Sequence, residues 1–308
     1  MNVVNVAFFG TSDRSIPILT ALRENFNLSL CITREDTKFG REQILKPTEV
    51  KIWAKENNVN CITISRLDTQ STQGIINSLK TAQIDTGIVA DFSFILPEEL
   101  INTPKFKLIN IHFSLLPKYR GASPVQQAIL NGDETTGITY YIMDKGMDTG
   151  AILQQVEYKI PANLTAGELY QKLFVLAAQK LPQVVNDYVS QIITPLPQDN
   201  ARATYTYSKT HPKNTFIYKE DAKIDWNAGA AQIERQIRAY NPWPIAWTTL
   251  GDMEQVFRIK PDKKENLKVK LFEAIVEKNE LKVKKIQVEG GKVLSWQEFA
   301  NGYLASAF

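Results

Sequence analysis

The chain has 308 residues, 44% of them hydrophobic and 22% charged, with 36 Lys+Arg, 33 Asp+Glu and a net charge of +3. That length favours two domains with separate cores, and the composition is that of a soluble globular protein. No apolar run approaches the roughly 18 to 20 residues of a membrane span, so no membrane association is expected.

The N-terminus, Val3–Phe9, reads as a first strand and not a signal peptide. Cys31 and Cys61 lie in separate apolar segments and define neither a disulfide framework nor a zinc site, which suits buried thiols in the cytoplasm. Charge is unevenly spread. Residues 201–308 carry 18 Lys+Arg against 13 Asp+Glu, a net of +5, whereas residues 1–200 carry 18 against 20, a net of −2. The basic excess is consistent either with phosphate contacts or with an ordinary solvated surface.

Strand Val3–Phe9 runs into the turn Gly10-Thr11-Ser12-Asp13 and a helix with Pro17 near its start. A second strand, Leu28–Thr33, precedes a long polar loop. Thr48–Asn57 then has helical spacing, with Val50, Trp53 and Ala54 on one side. Further strands are predicted at Cys61–Ile64, Asp85–Ala90 and Lys107–Ser114, and a short helix at Ser123–Leu130, stopped by Asn131-Gly132. The first turn has Gly10 alone and lacks a G-x-G-x-x-G, which argues against dinucleotide binding. Gly137–Met143 and Ile152–Ile160 read as strands joined by a tight loop, Asp144–Gly150, and a helix follows over Ala166–Val189, with Pro182 as a candidate kink.

This pattern predicts an α/β protein: a Rossmann-like domain with a mostly parallel sheet over residues 1–193, a Pro-rich linker over 194–214, and a small C-terminal β-barrel over 215–308. The last part opens with a helix at Ala230–Tyr240, stopped by Asn241-Pro242-Trp243-Pro244. His211, beside Pro212 in the linker, reads as exposed and structural.

Asn110-Ile111-His112 is the most informative stretch. Strand side chains alternate faces, so a carboxamide and an imidazole point the same way at a strand end, under the loop that ends at Pro117. Such a pair suits acyl transfer, in which one group steadies an oxyanion while the other moves a proton. A core histidine bonded to a backbone carbonyl is the competing explanation. The carboxylates of Asp144 and Asp148 either face the same pocket or cap their own turn.

Asn110-Ile111-His112, Ser114-Leu115-Leu116-Pro117, Lys118–Pro124 and Met147-Asp148-Thr149-Gly150 together resemble the folate-dependent formyltransferases, and within them the branch acting on methionyl-tRNA. Gly40-Arg41, Ile95-Leu96-Pro97, Ile224-Asp225-Trp226 and Arg238–Pro244 extend the similarity over roughly residues 3 to 250. The resemblance implies an OB-type C-terminal barrel, 10-formyltetrahydrofolate as donor, and the α-amine of initiator methionyl-tRNA as acceptor. It implies a catalytic trio of Asn110, His112 and Asp148, with no metal. It implies folate contacts at Ser114, Leu115, Leu116 and Pro117, and at Phe92, Ser93, Phe94, Ile95 and Leu96. Acceptor contacts fall on Gly10, Thr11, Arg14 and the basic-loop residue Arg41. A cytoplasmic monomer is expected.

The sequence departs from the family at several points. Arg14 replaces a frequent aromatic, Phe92-Ser93 a common Tyr-Gly, and Phe113 a common Gly, while His211–Tyr218 reads as an insertion. In the expected chemistry Asn110 donates to the oxyanion, His112 adds a donor or relays the proton to the departing folate nitrogen, Asp148 holds the imidazole tautomer, and the proton of the attacking amine goes to His112, Asp148 or an ordered water. A sugar-nucleotide N-formyltransferase, a glycinamide ribonucleotide formyltransferase and a catalytically silent folate- or RNA-binding protein are the rival readings. The last hundred residues speak against the second, and the complete trio against the third.

Overall fold

Apolar strands separated by amphipathic helices build the first part of the computed structural model, which describes residues 3–39, 43–260 and 263–305. The strands are β1 (Asn5–Gly10), β2 (Asn27–Arg34), β3 (Thr37–Phe39), β4 (Ile44–Lys46), β5 (Asn60–Ile64), β6 (Thr86–Ala90), β7 (Leu108–His112), β8 (Thr135–Ile142) and β9 (Ile152–Lys159). Seven form one sheet in the order β5-β2-β1-β6-β7-β8-β9. Pairing is parallel from β5 through β7 and antiparallel between β7 and β8. The expected Rossmann-like, mostly parallel sheet is therefore present.

Val6, Ala7, Phe8 and Phe9 are buried together, as a strand covered on both faces requires. Cys31 and Cys61 are not isolated from each other: β2 and β5 place them opposite one another, both as free thiols, and burial pushes the Cys31 thiol up.

The structure adds elements absent from the sequence reading, among them the helices Glu98–Ile101, Leu250–Met253 and Trp296–Tyr303. The long polar loop after β2 contains the β3–β4 hairpin. Residues 69–81, where no element is predicted, form a helix whose Thr72, Ile75, Ile76 and Leu79 are buried at helical spacing. Asp68 and Ser71 close a capping box at its start. The helix Ala166–Val189 has the predicted ends and continues through Pro182.

The chain forms two compact units. One comprises Met1–Arg120, Gly137–Tyr158 and Tyr170–Thr204; the other comprises Gly121–Thr136, Lys159–Leu169 and Tyr205–Phe308. The second unit holds β10 (Ala246–Thr249), β11 (Lys268–Glu277), β12 (Glu280–Val288) and β13 (Val293–Ser295), an antiparallel sheet in that order. Ile233 and Ile237 of the helix Ala230–Ala239 share its core with Val269, Leu271, Ile286 and Phe299.

Candidate active site

The C-terminal ends of β1, β6 and β7 are adjacent, with Gly10 paired to Ala90 and Val89 to Asn110. Ligands of open α/β sheets bind outside such strand ends. The loops that leave these three strands carry most of the site residues expected from sequence.

Asn110 is half-buried and His112 is buried. His112 Nε2 lies 2.9 Å from the carbonyl oxygen of Tyr119. A carbonyl can only accept, so Nε2 carries the hydrogen and the neutral ring presents a bare Nδ1. That nitrogen is 3.7 Å from Asp148 Oδ2, an electrostatic contact and not a hydrogen bond. The Tyr119 carbonyl thus holds one ring nitrogen, and Asp148 stands in electrostatic range of the other.

The two aspartates of the tight loop divide the roles that sequence left open. Asp144 Oδ1 accepts from Gly146 N at 3.0 Å and from Thr149 Oγ1 at 2.6 Å, which is turn capping. Asp148 turns instead toward the histidine, from a left-handed backbone conformation (φ 53°) uncommon outside glycine. Gly150 closes the loop. A Cβ there would stand 1.8 Å from the carbonyl oxygen of Ile142, so no other residue fits without moving the strand.

Tyr141 was missed in the sequence. It lies opposite Asn110 across the β7–β8 ladder, so both side chains share a face. Its hydroxyl donates to Asp148 Oδ1 at 2.7 Å and accepts from Asn110 Nδ2 at 3.2 Å. Burial, and then the Asp148 charge, push the phenol well above its usual range, which keeps the donor protonated. Arg120 and Gln198 were also missed. Gln198 Nε2 donates to the carbonyl oxygens of Asp148 and Gly150, both at 2.8 Å, and its Oε1 accepts from the buried Arg120 Nη2 at 2.8 Å. Together they brace the aspartate loop from behind.

The Ser114–Pro117 segment is fixed by polar contacts. Thr139 Oγ1 accepts from Leu116 N and donates to Ser114 O, Gln155 Nε2 donates to Leu116 O, and Ser114 Oγ donates to Lys118 O. Leu115 packs close to Gly137. In the loop after β6, Phe92, Phe94 and Leu96 turn toward the core, while Ser93 is exposed and Ile95 is 91% exposed. Thr11 ties this loop to β1, donating its N–H to Asp91 O and accepting at Oγ1 from Ser93 N.

Arg14 is paired and stacked. Its Nη2 is 2.7 Å from Asp91 Oδ2, and its Cζ lies 4.3 Å from the centre of the Tyr170 ring. Tyr170 and Phe174 in turn pack on Phe113. Arg41 lies outside the described residues. Among the described residues no group of three or more His, Cys, Asp or Glu side chains gathers to hold a metal.

Residues 2–185 match the family described as Formyl transferase, and residues 216–304 match the Formyl transferase, C-terminal domain. The chain belongs to the formyl transferase family. Among named relatives, methionyl-tRNA formyltransferase of Clostridium novyi (strain NT) is 35% identical, covering 97% of each chain. The protein of the same name from Legionella pneumophila (strain Paris) is 33% identical, covering 98% of this chain and 96% of its own. A solved methionyl-tRNA formyltransferase from Clostridium thermocellum shares the fold, with a TM-score of 0.60 at 17% identity, covering 94% of this chain and all of that one. A solved sugar 3N-formyl transferase scores 0.61 at 20% identity, covering 96% and 98%. The fold is thus common to formyl transferases with different acceptors, and only the sequence identities lean toward one of them.

Proposed function

We propose that this protein transfers the formyl group of 10-formyltetrahydrofolate to the α-amine of initiator methionyl-tRNA. The observation that carries the formyl-transfer reading is the convergence of Asn110, His112 and Asp148, with imidazole Nδ1 left open toward the carboxylate. The choice of acceptor rests on the roughly one-third identity, over nearly the full chain, to proteins named methionyl-tRNA formyltransferase.

When bound, the folate supplies an activated formyl carbon. Its place is the rim formed by Ser93, Ile95 and the Ser114–Pro117 loop. The fit is supported by Ile95, whose uncovered apolar side chain stands beside a loop packed from beneath by Phe92 and Phe94. Asn110 commits one amide hydrogen to Tyr141. The other is available to the formyl oxygen as negative charge develops on it. His112 takes the proton of the attacking amine at Nδ1, because Nε2–H is held by Tyr119. Asp148 Oδ2 then faces an imidazolium and stabilises it. The same proton is in position to pass to the departing nitrogen as the carbon–nitrogen bond to the donor breaks. Gly10, Thr11, Arg14 and Arg41 are assigned to the acceptor side, and residues 215–308 to tRNA binding.

The test is incubation with labelled formyl donor and, in parallel, charged initiator tRNA, uncharged tRNA and a sugar-nucleotide amine. Label should appear in the charged tRNA alone. Transfer to the sugar amine in its place would bring the rival enzyme forward.

A further inference from the structure

Strand periodicity puts the two cysteines on one face of the seven-stranded sheet. Leu30 and Ile32 of β2, with Ile62 and Ile64 of β5, pack in the core on one side. Side chains alternate along a strand, so Cys31 and Cys61 both point to the other side. The helix Glu49–Glu56 lies there: Thr33, on the same face of β2 as Cys31, bonds its cap residue Thr48 at 3.0 Å. The register makes the cysteines direct neighbours, since Cys31 pairs with Cys61 in the parallel ladder, and both are free thiols. Adjacent strands lie about 4.8 Å apart, within the roughly 4.4 to 6.8 Å between the Cα atoms of disulfides.

The two sulfurs are not equivalent. Cys31 is fully buried, on a strand flanked by β1 and β5. Cys61 is half-buried on β5, the edge strand, where a small reagent reaches it first. Lys51, on the covering helix, is bonded to Asp36 at 2.7 Å, and its ammonium favours the Cys61 thiolate.

Two uses of such a pair compete, a soft metal ion and a disulfide. Burial pushes both thiols up and disfavours their charged forms. Metal binding would require both thiolates at once, and among the described residues no third ligand gathers beside them. Thiol–disulfide exchange needs only one thiolate at a time and ends with both sulfurs neutral. A sheet interior that resists charge therefore favours the disulfide.

We propose that Cys31 and Cys61 form a reversible thiol–disulfide site, with Cys61 as the entry sulfur and Cys31 as its resolving partner. Cys61 loses its proton and attacks one sulfur of a small disulfide, whose other sulfur departs and takes up a proton as a thiol. Cys31 loses its proton in turn and attacks Cys61 Sγ, releasing the second small thiol. One external disulfide is reduced to two thiols, and two protein thiols are oxidised to one disulfide. The bond staples the edge strand β5 to β2 and closes the segment between them, with the β3–β4 hairpin, into a covalent ring. Bonded Cβ atoms stand about 3.8 Å apart, closer than the strand spacing, so the bond forms under strain and is readily reduced again. The inference is independent of the formyl-transfer reading.

The experiment incubates the folded full chain with oxidised glutathione, then denatures it in N-ethylmaleimide to trap remaining thiols and maps the products by mass spectrometry. The wild type should take up neither glutathione nor maleimide, and should yield peptides linked through Cys31 and Cys61 that separate with dithiothreitol. Cys31→Ser should stop at a glutathione adduct on Cys61, whereas Cys61→Ser should stay unmodified by glutathione. Melting temperatures confirm that both variants fold, and Cys31→Ala replaces Cys31→Ser where the hydroxyl is not tolerated. Hydrogen exchange of the β5 amides should slow at least about fivefold in the oxidised wild type. A wild type that keeps two free thiols, that gives only glutathione adducts or linked dimers, or that forms the bond only in urea overturns the inference. So does adduct formation at Cys31 in Cys61→Ser, or unchanged exchange in β5. Formyl-transfer rates do not enter this decision, so the two readings fail separately.

Discussion

Tyr141 and Asp148 are joined by a 2.7 Å hydrogen bond in which the phenol is the donor, and the same oxygen accepts from Asn110. One buried hydroxyl thereby links the Asn110 amide to the carboxylate that faces His112, and without it both lose one partner.

Tyr141→Phe keeps the ring and removes only this bridge. A hydrogen bond to a charged group contributes about 1.5 to 3 kcal/mol, so a measurable loss of stability is expected. The single-turnover rate of formyl transfer should fall about tenfold, equivalent to ~1.4 kcal/mol of barrier, with donor affinity preserved. An unchanged rate with lowered melting temperature would make Tyr141 a packing residue only.

Asn110→Ala removes the proposed oxyanion donor. Loss of one such donor typically costs about 2.7 to 4 kcal/mol, or roughly 10²- to 10³-fold in rate. Since Asn110 is only half-buried, the fold should survive. Rapid-quench measurement of a single turnover checks this, and a loss under about fivefold contradicts the assignment.

His112→Gln retains a side chain able to donate to the Tyr119 carbonyl but has no nitrogen that can take up a proton. A decrease of roughly 10²- to 10⁴-fold is expected if the imidazole is the general base. Single-turnover rates of variant and wild type check this, and a decrease under about fivefold would assign the proton transfer to another group.

The pairing of Asn110 with His112 is legible in the sequence because strand periodicity alone puts them on one face. Tyr141 is not, because its place opposite Asn110 depends on the register of β7 against β8, a tertiary fact. The Tyr119 carbonyl that holds Nε2 of the histidine is a backbone group with no side-chain signature. The parallel sheet could be read from its buried apolar runs, whereas the helix Thr69–Thr81 opens with Thr-Gln-Ser-Thr-Gln-Gly and shows its apolar stripe only in its second half. Composition also cannot reveal that residues 121–136 and 159–169 pack with the C-terminal unit, since that grouping arises from contacts between distant parts of the chain.

Gly150→Ala tests how tightly the Asp148 loop is held. The added methyl would meet the Ile142 carbonyl at 1.8 Å, and a strand in the central sheet cannot easily recede. Overpacking of this kind costs about 1 to 3 kcal/mol. The melting temperature should drop, and turnover should fall more than in a control of equal stability loss, because Asp148 moves with the loop. Turnover that simply tracks stability would show that the loop position is not critical.

Asp221 provides a test of pH-linked stability away from the catalytic group. Burial opposes its charge, but bonds from the backbone of Tyr218 and Thr210 and from the hydroxyls of Thr210 and Ser208 outweigh it and hold the carboxyl below its usual value of 3.8. A folded value below the unfolded one means that the unfolded chain binds the proton more readily. The stabilisation is therefore complete above the unfolded value and is lost as pH falls through the lower folded one. Asp221→Asn should be less stable than wild type at pH 7, by at least about 1.5 kcal/mol given several charge-assisted bonds. The gap should narrow as pH falls through the lower folded value, where the wild-type carboxyl is protonating as well. Urea unfolding of both proteins at neutral and acid pH measures the gap directly. A gap that stays constant across this range would mean that the carboxylate charge contributes nothing and that shape alone holds the segment.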